Sequence, residues 1–199
     1  MHLPFTKGSR ENRFWGWFQA NSSRLFAFER DQARIFQELS SELYQVQKNL
    51  TFEFGPVVAG RREFIVSANG VHEAFPAVRS LVAAAPKLTA WTVIAFRPPK
   101  SLDLRLRIGG KELGADDLWF EAFPEDSQIS LALYIRGYSQ KEREIFGQAA
   151  FILLDMALGE YVVETAVGGI DLRQPPDDPV AHGLTSFREI RSVFDRLVH

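Results

Sequence analysis

From Leu50 to Arg97, apolar and polar positions alternate and then regroup in an order that predicts a hairpin, a helix and a third strand. Residues 51–54 read Thr-Phe-Glu-Phe, so Phe52 and Phe54 fall on one side and Glu53 on the other, the period-2 mark of a half-buried strand. Gly55, Pro56 and Gly60 punctuate the loop that follows, and Phe64 and Val66 resume the alternation against Glu63 and Ser67. Asn69-Gly70 then breaks the strand. Pro76 is tolerable only in a first helical turn, and Ala74, Val78, Leu81, Val82 and Ala85 form a stripe that Pro86 ends. Trp91 to Phe96 is apolar on both faces, as an interior strand is.

The same order returns from Leu118 to Leu172. Leu118 to Phe123 matches the first strand, with Glu121 where Glu53 stood. Ile129, Leu131, Leu133 and Ile135 give a second strand, and Ser139 with Glu142 reads as a capping box opening a helix. That helix carries Phe146, Ala149, Ala150, Leu153 and Met156 and is closed by Gly159. Tyr161, Val163, Thr165 and Val167 read as the returning strand, which sets Glu164 mid-strand. The fold class expected is α+β: a mixed, mostly antiparallel sheet of about seven or eight strands with helices packed chiefly on one side. Halves 50–97 and 118–172 are read as an approximately duplicated ββαβ unit within a single domain, 1–199.

Outside the halves, residues 1–10 read as an irregular arm. Residues 11–49 form a helical segment that opens on Phe14-Trp15-Gly16-Trp17-Phe18. Asn21, Ser22 and Ser23 suggest a fresh helical start, after which Leu25, Phe28, Ile35, Leu39, Leu43, Val46 and Leu50 make an amphipathic stripe. Arg97-Pro98-Pro99-Lys100 is an internal seam. Leu102, Leu104 and Leu106 alternate with charges as a strand, and Gly109-Gly110 signals a tight turn. Residues 173–183 are a Pro-rich loop, and a closing helix, 186–198, starts at a second box, Ser186 and Glu189.

Composition narrows the chemistry. The 199 residues contain no cysteine, which excludes disulfides, thiolate zinc sites and a cysteine nucleophile. A net charge of −2 gives no electrostatic basis for nucleic-acid binding, and the basic run from Arg97 to Lys111 is broken by Asp103. The start of the chain lacks a secretory apolar core and no apolar run approaches a membrane span, so a cytoplasmic protein without membrane association is expected. Phosphate-loop and Gly-x-Ser-x-Gly patterns are missing, and the four histidines are scattered. His182 near Asp177 and Asp178 reads as a surface histidine or, less simply, an acid–base pair.

No catalytic residue, metal site or cofactor is assigned. The candidates are Glu53 and Glu121, which matching halves would bring together to share a metal or proton, and Glu164; each also fits a plain solvent-facing acid. Trp15 and Trp17 are either core anchors or an exposed platform for a partner. A non-catalytic interaction protein of regulatory or immunity type, with another protein as partner, is the function favoured. A carboxylate enzyme, with or without a metal, and a small-ligand carrier with an aromatic pocket are the alternatives.

Overall fold

The computed structural model describes residues 8–197, so the expected arm at residues 1–7, His2, His199 and the last position of the expected closing helix lie outside the described residues. The described residues form an α+β fold of six α-helices and nine strands. The chain gathers into two compact units that divide between Arg97 and Pro98, at the double proline.

In the first unit, helices α1 (Arg10–Phe26) and α2 (Gln32–Val46) precede the hairpin β1 (Thr51–Val58) and β2 (Arg61–Ser67), then α3 (Phe75–Ala83) and β3 (Trp91–Ala95). β2 pairs antiparallel with β1 and parallel with β3, giving the order β1-β2-β3. The alternation in Thr-Phe-Glu-Phe has its predicted effect. Phe52, Phe54, Phe64 and Val66 join Phe14, Phe18, Ile35, Leu39 and Val78 in one core on the helical side, and Glu53 is left on the other. This core is aromatic. Phe64 lies 4.8 Å from the Phe18 ring and 6.2 Å, stacked, from Phe14. Truncating such a ring to alanine typically costs about 3–5 kcal/mol. Pro76 sits in the first turn of α3, where its missing N–H has no partner to lose.

The second unit opens with the short hairpin β4 (Leu106–Ile108) and β5 (Lys111–Leu113). It continues with β6 (Leu118–Glu125), β7 (Gln128–Ile135), α4 (Arg143–Leu158), α5 (Glu160–Ala166), β8 (Val167–Arg173), β9 (Thr185–Ser186) and α6 (Ile190–Leu197). Four strands order as β8-β7-β6-β9, with β7 antiparallel to β6 and parallel to β8. Phe120, Leu131, Leu133, Ile135 and Leu172 face Phe146, Ala149, Ala150, Leu153 and Phe194 in a core that is chiefly aliphatic. Gly109, at φ +56°, turns the β4–β5 hairpin where a side chain would meet the Ile145 Cδ1 at 2.6 Å.

Both units therefore contain a hairpin, a helix and a third strand parallel to the second. The likeness extends to one detail. The first residue of the middle strand donates from its side chain to the carbonyl of the first residue of the third strand, Arg61 to Trp91 and Gln128 to Val167. It stops at strand order and pairing, because α3 has 9 residues where α4 has 16, and the cores differ in kind.

Four expectations give way. The strands divide into three sheets, of three, two and four strands, rather than one sheet of seven or eight. Residues 160–166 are helix α5, not strand: Gly159 at φ +81° ends α4 and turns the chain, and Thr165 Oγ1 then donates to the Tyr161 carbonyl one turn back. Its alternation was a by-product of β-branched residues on a short helix, and the third strand starts at Val167. Around Leu104 the chain is a loop instead of a strand, pinned where Arg105 meets Glu112 and Asp117. Finally, α1 runs through Asn21, Ser22 and Ser23, since Asn21 donates back to the Trp17 carbonyl, and the break comes at Ala27–Asp31.

Candidate functional site

Trp15 is 2% exposed, and its indole N–H donates to the Leu81 carbonyl at 2.8 Å, which ties α1 to α3. Trp17 is half-buried beside Phe14 at 6.3 Å. The N-terminal aromatics thus anchor a core. Glu53 and Glu121 belong to different units, and each has a partner within its own. Glu53 lies 3.8 Å from Arg97. Glu121 accepts a 2.6 Å bond from the Tyr134 hydroxyl, which also receives Arg173 at 3.1 Å. The bond to Glu121 raises the Tyr134 pKa above the ordinary phenol value, because it stabilises the protonated form.

Among the described residues, no three His, Asp or Glu side chains come together as a metal would require. The ring of His182 faces the Asp178 backbone carbonyl at 2.8 Å, while the Asp178 carboxylate accepts the Ala181 N–H at 3.0 Å. That loop is a self-capped turn, and the carboxylate does not orient the imidazole.

Glu164 is placed more usefully. As part of α5 it lines a cleft of about 760 Å³ inside the second unit, between α4, α5 and β8. The apolar floor comes from Ala150, Val163, Val167, Ile170 and Leu172, with Arg143, Glu144, Gln148 and Glu164 as its polar lining. Phe151, on the wall, is 54% exposed, and its neighbour Ile152 is 37% exposed. Two glycines, Gly147 and Gly168, also line the cleft. A side chain on Gly147 would lie 3.7 Å from Leu172, and one on Gly168 would press on Ser130 Oγ at 3.1 Å.

β8 is an edge strand. An edge leaves a row of backbone donors and acceptors unpaired, and proteins ordinarily blunt it. The other edges of the three- and four-stranded sheets are blunted. β1 carries Pro56 and a register break between Phe54 and Val57, and β9 has two residues. Beside β3 lies a smaller cleft of about 430 Å³, and Arg61 is spread over its carbonyls at Thr89 and Trp91. β8 runs for seven residues, and its one irregularity is a bulge near its start, at Gly168-Gly169. There Gly169 N–H donates to Ser130 Oγ at 3.2 Å, leaving Ile170–Arg173 regular. Glycine in a strand marks a bulge or a place where another backbone comes close.

The sequence hides this site because the alternation at 161–167 reads as a strand where α5 stands. Two signals pointed to it. Phe151 and Ile152 fall outside the stripe that α4 buries, and the Gly168-Gly169 pair sits in a strand pattern.

No family model, curated protein or solved structure matches the chain.

Proposed function

We propose that this chain is a non-catalytic interaction protein that binds an extended protein segment along β8, as an added strand, with the segment's apolar side chains entering the adjoining cleft. The observation that carries the reading is the coincidence of a sheet edge, regular over Ile170–Arg173, with an apolar trough beside it. Strand addition uses both: main-chain hydrogen bonds supply affinity, and pockets for alternate side chains supply selectivity. Phe151, the most exposed aromatic along the cleft, is the natural anchor, since aromatic side chains dominate interface energetics.

A small-ligand carrier is the second reading. The cleft volume of about 760 Å³ falls within the range of small-molecule sites, roughly 300–1,000 Å³. An aliphatic floor beside free backbone groups favours the peptide, because a compact apolar ligand leaves the edge unused. A carboxylate enzyme has less in its favour, since among the described residues no three His, Asp or Glu side chains gather, and Glu53 and Glu121 each have a partner within their own unit.

Panning short random peptides against the full chain tests the proposal. Sequences with apolar residues at alternate positions should be enriched, and Phe151→Asp should weaken their binding at least tenfold while leaving the circular dichroism spectrum unchanged. Enrichment of peptides indifferent to Phe151→Asp, or none at all, would contradict it.

A further inference from the structure

We infer that the strand received by β8 is β8 of a second copy of this chain, with a twofold axis passing at Leu172. The inference rests on the strand-addition reading and names the partner for that edge.

The argument is one of register. Directly opposed residues of an antiparallel pair point to the same face, so a twofold seam between two β8 strands must be centred on a residue. Centred on Asp171 or on Arg173, the seam sets like charges against each other. Centred on Ile170, it sets Asp171 against Gly169 and leaves both charges unmatched. Centred on Leu172, it sets Asp171 of each copy opposite Arg173 of the other, twice over, and brings the two leucines together on the cleft face. The charge pattern of Ile170-Asp171-Leu172-Arg173 is self-complementary in that register alone.

The charged groups are exposed enough to do this. Asp171 and Arg173 already pair at 2.8 Å within one chain, with side chains 57% and 47% exposed, so a second copy extends an existing ion pair into a ring of four charges. Ile170 and Leu172 both line the cleft, and Phe151 on its wall would lose its exposure beneath the added strand. Pro175 and Pro176 set the limit. Opposite Gly169, Pro175 offers no N–H, so the seam ends there and the dimer is short. A short seam predicts dimerisation that depends on concentration rather than a permanent dimer.

Sedimentation velocity on the full chain, run across a wide concentration range, tests the inference. The wild type should pass from the 22.6 kDa of one chain to twice that mass as concentration rises. Asp171→Arg should remain a monomer, and Asp171→Arg combined with Arg173→Asp, which exchanges the charges, should dimerise again. A wild type that stays monomeric throughout, an Asp171→Arg variant that dimerises as well as the wild type, or a failed rescue would each overturn it. If a wild type that stays monomeric at every concentration still captures alternating apolar peptides through Phe151, the second copy is ruled out and strand addition survives. If it captures none, both fall.

Discussion

At the scale of single residues, the decisive positions are those where a side chain serves two masters. Trp15 supplies a ring to the aromatic core and an N–H to the Leu81 carbonyl, both buried. In sequence its cluster of four aromatics fits a core anchor or a binding platform, and the burial selects the anchor. Replacing Trp15 by Phe keeps most of the ring and strands the carbonyl. A loss of about 1–3 kcal/mol in urea unfolding is expected, the cost of an unsatisfied buried acceptor, and an unchanged midpoint would show that the bond is idle. Phe151 is the converse case. It sits on a helix that buries Phe146, Ala149, Ala150, Leu153 and Leu154, yet more than half of it meets solvent. That exposure beside the cleft is why it anchors the functional reading.

At the scale of elements, pattern and structure agree where the period is long. From Ile35 to Val46 the stripe becomes the buried face of α2 because it repeats often enough to define one, and the hairpin residues take their sides as the alternation requires. The reading fails where four residues had to decide. Tyr161, Val163, Thr165 and Val167 alternate, but a helix seven residues long permits the same spacing, and the turn at Gly159 selects it. The strand break at Asn69-Gly70 and the helix start at Ser139 were thus legible, and the identity of the cleft's third wall was not. Packing between elements also has a pH signature. Glu38 on α2 is held by Arg24 of α1 and Arg34 of its own helix, and these bonds lower its pKa from 4.5 to about 2. A depressed carboxylate contributes stability that is complete above its unfolded pKa and is lost as pH falls through the folded value. The difference in unfolding midpoint between the wild type and Glu38→Gln should therefore hold steady above about pH 5 and shrink towards zero near pH 2. Added salt should reduce it, because Glu38 is partly exposed. A difference that stays constant down to pH 2 would mean the arginines do not hold the charge.

At the scale of the whole molecule, two separate cores divide the work. The first is aromatic and is closed by three helices; the second is aliphatic and leaves a cleft open beside its edge strand. The order of elements was legible because hydrophobic periodicity is a local property, and the seam at Pro98-Pro99 was legible because proline stops both helix and sheet. Where the strands fell into separate sheets was not, since hydrogen-bond partners far apart in sequence leave no local mark. The central claim is that β8 and its cleft are the working surface. Amide hydrogen exchange at low and high protein concentration, and again with an enriched peptide, tests it most directly. The account predicts that protection gained on binding falls on Ile170–Arg173, with the helical amides of α1 and α2 unchanged. Protection that arises on the first unit, with β8 exchanging as before, would contradict it.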